Sequence, residues 1–267
     1  MTLTKGAMLS LVAITGLVFL LLYGPLLVPI VSSFFTLDHG SILWDQPSLE
    51  SYAALSRNET ILEAVTNTLM VGAAAVVLAL IMGMVMALHY CSGRSASREI
   101  MQFVIFLPFL MPPMVTGLSL LVFFREIDFD RSLVTVTIGH TVFILTLAYR
   151  TIVVRLQSLE LGIIEASYDL GATNWQTFRY ILLPSLRGAL IGAAVLCFAL
   201  SFDETMITIL VTGPDSTLPV LLWAMTRLGF PPDVNALVTL VLALTTLMCL
   251  VAAWQLLPRE MIVEEAN

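Results

Sequence analysis

A Ser-Phe-Asp-Glu run, Ser201 to Glu204, interrupts a stretch that is otherwise apolar from about Leu186 to Val211. Two carboxylates in such a place can bind a cation, exchange a proton or simply meet water. At about 1.5 Å per helical residue, Asp203 stands about 25 Å from Leu186, in the outer third of a membrane. A carboxylate facing lipid there costs roughly 3 kcal/mol, so it is expected to face water or a partner. On a helix, Ser201, Glu204, Thr205 and Thr208 recur at i, i+3, i+4 and i+7 and form one polar stripe, while Asp203 points about 100° away from Glu204. Two readings stay open. In one, Ser201, Phe202, Asp203, Glu204 and Thr208 line a cavity that touches a polar, cationic solute, with Trp223 at its rim. In the other, both acids sit wet at the outer interface.

Other chemistry is sparse. His89 and His140 make no HExxH, His39 falls in a loop, and metal-ligand spacing is missing. There is no G-x-S-x-G and no G-x-x-x-x-G-K-[ST]. His89 is read as interfacial and His140 as a hydrogen-bonded packing residue. No nucleophile–base pair can be drawn inside the spans, which argues against an intramembrane hydrolase. If nucleotide hydrolysis drives this protein, another chain hydrolyses it. Cys91, Cys197 and Cys249 are far apart and are expected to be unpaired thiols.

The second polar landmark is Glu165-Ala166-Ser167-Tyr168-Asp169-Leu170-Gly171, followed by Ile181-Leu182-Leu183-Pro184. Glu165 and Asp169 lie at i and i+4 and give a short helix one charged edge. Ala166 and Ser167 are small enough for a partner backbone to approach. Gly171 stops the helix where a left-handed residue is cheap. Pro184 is expected to break the preceding helix and set where the next apolar run begins.

Helices must position these residues. The 267-residue chain is 58% hydrophobic and only 12% charged, with a mean hydropathy of +0.96. Six runs can span a membrane: about 8–31, 61–89, 100–124, 133–149, 186–211 and 236–257. The fourth is short. Backbone satisfaction in lipid makes them helices, because no period-2 pattern suggests a barrel. The expected architecture is an all-α, multi-pass membrane protein, one domain over 1–267. The first run is too long for a cleaved signal. Of the twelve Lys and Arg residues, an inside N-terminus places eight on the cytoplasmic side (Lys5, Arg94, Arg98, Arg150, Arg155, Arg179, Arg187, Arg259) and four outside. Both termini are therefore expected inside, and the Glu165 segment between spans four and five is cytoplasmic. A formal charge of −7 excludes nucleic acid as a natural partner.

Pro108, Pro112, Pro113 and Gly117 predict a bent or broken third span, and Gly24-Pro25 with Pro29 a kinked exit from the first. Leu218–Leu228 is apolar but too short to cross. It is read as a short surface helix or a re-entrant hairpin at the outer rim, with Trp223 at the interface and Asp233 capping the last span.

The spacing Glu165-Ala166-Ser167-x3-Gly171-x9-Ile181-x-Leu183-Pro184 resembles the E-A-A-x3-G-x9-I-x-L-P motif of the permeases of ABC importers, with Ser167 in place of the second alanine. The likeness extends over roughly residues 61–257. It implies that the Glu165–Leu170 helix is a coupling helix docked in a cleft of a separate ATPase. It also implies a second permease subunit, two ATPase subunits carrying ATP and Mg²⁺, a periplasmic or lipid-anchored solute-binding protein, and the bacterial inner membrane. No cofactor is expected in this chain. Within that family, Ser201–Glu204, Val211-Thr212-Gly213-Pro214 and Pro231–Leu237 look like the second permease of spermidine/putrescine importers. Importers of ferric iron, thiamine and phosphonate share parts of this pattern. An ion-coupled secondary transporter, with its expected inverted repeat, is the rival of another class.

Overall fold

Proline chemistry sets the sharpest feature of the architecture. In a computed structural model, which describes residues 5–38, 41–91, 97–159, 161–228 and 234–256, the expected third span is two helices, α4 (Ser97–Leu110) and α5 (Pro113–Glu126), bent by 107° at the break. Pro113 forces the residue before it out of the helical region, and Pro112 accordingly has φ −55° and ψ 136°. Pro113 then serves as the first helical residue of α5, where a missing N–H costs nothing.

The chain runs α1 (Lys5–Ser32), β1 (Phe35–Asp38), β2 (Ser41–Pro47), α2 (Glu50–Leu55), α3 (Glu59–Cys91), α4, α5, α6 (Leu133–Gln157), α7 (Leu161–Asp169), α8 (Asn174–Thr177), a π-helical segment (Phe178–Leu182), α9 (Leu183–Phe202), α10 (Met206–Val211), α11 (Leu218–Leu228) and α12 (Val234–Leu256). Among the described residues, four helical runs are long and apolar enough to cross a membrane: Met8–Ser32, Glu59–Cys91, Leu133–Gln157 and Asn174–Phe202. The bent α4–α5 pair makes a fifth if it is one span. α12 runs for 23 residues.

Four expectations need correction. The chain is not all-α: β1 and β2 pair antiparallel, with Asp38 opposite Ser41 and the Phe35 and Trp44 rings 5.2 Å apart. Phe35, Thr36, Ile42 and Trp44 all favour a pleated backbone, but the strands are too short to stand out beside the long apolar runs. The fourth span does not stop at Tyr149. Arginine is a good helix former, so Arg150 and Arg155 end the apolar run without ending α6, and Ile152 and Val153 beyond Tyr149 are still buried. The fifth span neither begins at Pro184 nor runs whole to Val211. It begins at Asn174 and breaks after Phe202. Thr173 and Gln176 form a capping box (Gln176 N–H to Thr173 Oγ1, 3.3 Å; Thr173 N–H to Gln176 Oε1, 2.8 Å) that starts the helix ten residues early. Pro184 is tolerated because the Leu183 N–H reaches back five residues to Phe178 O, and this widened turn accommodates the proline ring. The Asp233 cap, the last residue of span six at Leu257, and His39 lie outside the described residues.

The described chain forms two compact units. One is Met1–Leu62 with Leu222–Thr246. There Ser33 Oγ and Tyr52 Oη lie 2.7 Å apart and Thr239 Oγ1 lies 3.4 Å from Pro29 O. Along the Met8–Ser32 run, Leu9, Val18, Leu22 and Val28 are all exposed, as for a helix surrounded by lipid or by a partner.

The other unit is Glu63–Leu221 with Leu247–Asn267. Here α6 packs on α9, and α10 on α5 and α6. Val71, Phe124, Val136, Ile207 and Val211 form a buried cluster around α10. The approach of α10 depends on two glycines. A Cβ on Gly117 would meet Ile207 Cα at 3.0 Å, and one on Gly139 would meet Ile207 Cγ2 at 2.7 Å. Asn67 Nδ2–H donates to Ser216 O (3.1 Å) and Leu218 N–H to Thr68 Oγ1 (2.8 Å), so α3 anchors the start of α11.

Candidate functional site

The α7 segment folds as its sequence requires up to its stop. Gly171 has φ +81°, its N–H bonds Tyr168 O at 2.9 Å, and the Ala172 N–H reaches Ser167 O at 3.0 Å. These two bonds make a Schellman stop, in which the left-handed glycine satisfies the last carbonyls of the helix. Nothing lies within 4 Å of a Cβ built on Gly171, so backbone conformation alone calls for glycine there.

The two small residues of the motif part company. Ala166 is exposed, with Glu165, Tyr168 and Asp169. Ser167 turns inward, 6% exposed, donating to Ile164 O at 2.7 Å and lying 2.9 Å from Thr177 Oγ1. Thr177 is in the first turn of the run that continues to Phe202. Ala166, Ser167 and Ile181 are brought together around an open hollow of about 500 Å³, whose walls are completed by Gly162, Ile163, Leu170 and Ala172. Leu183 and Pro184 are exposed one turn further along the run.

At the other end of that run, α9 stops at Phe202 and the backbone leaves the helix over Asp203–Thr205. Asp203 is exposed. Ser201, Phe202, Glu204 and Thr208 are buried. Glu204 caps α10 itself: its Oε1 accepts the Ile207 N–H at 2.9 Å. This is a favourable place for a carboxylate, because the free N–H groups at a helix start carry partial positive charge. The stripe drawn from helical periodicity therefore survives in part, with Thr205 half-buried at the break.

His140 on α6 closes the group. Its Nδ1 lies 2.7 Å from Ser201 Oγ and its Nε2 lies 2.8 Å from Thr208 Oγ1. Thr208 donates its one hydroxyl proton to Glu204 O at 2.8 Å. It must therefore accept from Nε2–H, which leaves Nδ1 to accept from Ser201. A nucleophile–base pair that could not be drawn from sequence is thus present in space. It is closed on itself: Ser201 and His140 are each 2% exposed, and both imidazole nitrogens are taken. It fastens α9 and α10 to α6 across the break. Nothing in the sequence pairs positions 61 and 68 residues apart; the signal that could have found them is a histidine and two hydroxyls on apolar spans, each needing a partner. Trp223 lies in the other unit, where the Arg227 guanidinium carbon stands 4.4 Å from its ring centroid.

Residues 75–257 match the family described as binding-protein-dependent transport system inner membrane component. The chain is 34% identical over 251 residues to the putrescine transport system permease protein PotI of Escherichia coli (strain K12), covering 90% of this chain and 88% of that protein. It is 30% identical over 240 residues to the spermidine/putrescine transport system permease protein PotC of the same strain, covering 90% of each. Among solved structures, a bacterial ABC transporter involved in import of the acidic polysaccharide alginate superposes with a TM-score of 0.70 at 16% identity, over 92% of both chains. The inward-facing MetNI methionine ABC transporter gives 0.62 at 20% identity, over 78% of this chain and 97% of that one. At such identities the structural likeness speaks for the fold.

Proposed function

The chain belongs to the inner membrane components of binding-protein-dependent transport systems, a multi-pass permease subunit of an ABC importer, and on that premise we propose that its cargo is a small cationic solute of the polyamine type. The cargoes named for the two relatives support this class, and so does the exposed Asp203 at the break between α9 and α10.

In this reading the chain is one permease domain with six crossings: α1, α3, the α4–α5 pair, α6, the Asn174–Phe202 run and α12. Both termini are cytoplasmic, and α7 then faces the cytoplasm. A second permease subunit completes the pathway, two separate ATPase subunits dock below and hold ATP and Mg²⁺, and a solute-binding protein delivers cargo from outside. Hydrolysis happens on the ATPase subunits, so this chain catalyses nothing.

The observation that carries the coupling assignment is the tie between α7 and the long run. α7 is stopped at Gly171, offers Glu165, Ala166 and Asp169 outward, and is bonded through Ser167 to Thr177. From there the helix runs without interruption to the acid-bearing break. A push on α7 therefore acts on the element that ends beside Asp203, and rigid-body rocking follows. Linkage makes the effect mutual: docking of the loaded binding protein biases the same equilibrium.

The test is reconstitution of the complex in liposomes with Gly171→Arg or Glu165→Lys. Both variants are expected to insert and assemble, to hydrolyse ATP and to lose uptake of putrescine. Normal uptake in both would contradict the assignment of α7. Purification of the chain without an ATPase partner, with uptake driven by an ion gradient, would overturn the importer mechanism.

A further inference from the structure

A cavity of about 120 Å³ opens between the end of α3, α4 and the second half of α6, lined by Tyr90, Gln102, Phe106, Tyr149, Arg150 and Gln157. None of these residues belongs to the α7 hollow or to the α9–α10 break. The Arg150 guanidinium carbon stands 5.7 Å from the Phe106 ring centroid, and that of Arg98 stands 5.1 Å from the Tyr90 ring. Tyr90 and Tyr149 meet edge to face at 6.3 Å. The Tyr149 hydroxyl, on the cavity wall, is buried with no hydrogen-bond partner, and so is Nε of Arg98, which does not line the cavity but lies over its Tyr90 wall. Tyr149 is 2% exposed, so its hydroxyl has lost water without gaining a replacement. Such an orphan costs about 1–3 kcal/mol unless a ligand or ordered water meets it.

The chemistry is that of an anion site. A guanidinium over an aromatic ring face is held there by cation–π attraction, and its N–H fork matches the oxygens of a phosphate. The Tyr149 hydroxyl and the amides of Gln102 and Gln157 add neutral donors. The cavity exceeds by several times the ~15 Å³ needed for one water, so a phosphate-sized group fits.

Its place favours a phosphate carried by a lipid. α3 ends at Cys91, α4 begins at Ser97, and Arg150 is the first charge after the apolar run of α6. Here the apolar spans give way to a polar edge, where headgroups lie. Around it Ile100, Phe103 and Val154 are 66%, 64% and 58% exposed, a surface suited to acyl chains. A basic pocket between helices beside exposed apolar side chains is the general design for headgroup recognition.

We propose that this pocket binds the phosphate of an anionic phospholipid through Arg150 and Tyr149, with Arg98, over the Tyr90 wall, as the neighbouring cation. The test is native mass spectrometry of the assembled complex in mild detergent, titrated with phosphatidylglycerol, phosphatidylcholine or inorganic phosphate. The wild type is expected to retain phosphatidylglycerol over phosphatidylcholine. Arg98→Gln and Arg150→Gln are each expected to weaken that retention roughly fivefold. Tyr149→Phe, which keeps the ring and removes the hydroxyl, is expected to weaken it as well. A melting temperature of the wild-type complex that rises with phosphatidylglycerol and not with phosphatidylcholine supports the site without any variant. Equal retention of the two lipids, or unchanged retention in both arginine variants, would overturn it. Inorganic phosphate bound in place of lipid, and lost in the arginine variants, would overturn the lipid as the source.

Discussion

Ser167 Oγ and Thr177 Oγ1 lie 2.9 Å apart, both side chains buried, across the turn that separates α7 from the long helical run. The Ser167 proton goes to Ile164 O at 2.7 Å, so Thr177 donates to Ser167. Removing this bond isosterically with Thr177→Val is expected to cost about 1 kcal/mol and to leave α7 in place. Ser167→Leu is different, because added methylenes in a buried contact cost about 1–3 kcal/mol and shift the backbone. Reconstituted complexes carrying Ser167→Leu are expected to consume more ATP per solute imported, and Thr177→Val, which loses the bond but keeps the contact, to show a smaller rise. An unchanged ratio in Ser167→Leu would count against a mechanical link through this contact.

Much of this arrangement was legible in the amino-acid order, for identifiable reasons. The Gly171 stop follows from a local rule, and the broken third span follows from three prolines whose steric demands act within a turn. The β1–β2 hairpin escaped because a few β-forming residues are a weak signal beside a 25-residue apolar run. The early start at Asn174 rests on a Thr173–Gln176 capping box that is visible in hindsight, but Pro184 is the louder signal and points elsewhere. The His140–Ser201–Thr208 lock was not legible at all. It joins α6 to α9 and α10, and sequence periodicity says which face of a helix is polar but not which helix meets it.

The two acids at the break differ in environment and are expected to differ in consequence. Glu204 is buried and bonded to the Ile207 N–H, whereas Asp203 is exposed. Glu204→Gln keeps an oxygen able to accept from Ile207, so assembly is expected to survive while a cationic cargo loses a negative charge. Asp203→Asn removes a charge with no internal contact to disturb. Each is expected to raise the KM for putrescine uptake by about fivefold, the worth of roughly 1 kcal/mol of charge attraction near a polar surface. Both variants are expected to leave the yield of assembled complex unchanged. Identical uptake kinetics in the two variants and the wild type would return both acids to a capping and solvated role.

His140 is expected to matter for stability more than for coupling. His140→Leu leaves the buried Ser201 hydroxyl without its acceptor, at about 1–3 kcal/mol, while Thr208 keeps its bond to Glu204 O and loses only the N–H donated to it. His140→Gln can satisfy one of the two and is expected to lose about half as much. Thermal melting of the complex in detergent checks this: the order wild type, Gln, Leu is expected, with ATP consumed per solute unchanged in whatever fraction remains folded. A His140→Leu complex as stable as the wild type would show that the lock contributes nothing.

Two glycines seat α10, the short helix that follows the break. Ile207 sits between Gly117 on α5 and Gly139 on α6, and a Cβ on Gly139 would stand 2.7 Å from Ile207 Cγ2. Gly139→Ala therefore forces the isoleucine or α10 to move. Overpacking of this kind costs about 1–3 kcal/mol, partly offset by the helix propensity gained over glycine, about 1 kcal/mol. Ile207→Ala alone opens a cavity at a fully buried position and is expected to cost about 2–5 kcal/mol. Combined, the new methyl enters the space vacated by Cγ2, so the double variant is expected to be more stable than the sum of the two losses by about 1 kcal/mol or more. Gly117→Ala approaches the Ile207 backbone, at 3.0 Å from Cα, where no side-chain truncation makes room, and no comparable rescue by Ile207→Ala is expected. Melting of the six complexes — wild type, three single variants and two doubles — separates these outcomes. Strict additivity at Gly139 would mean that α10 is not seated against α6 in the membrane as it is here.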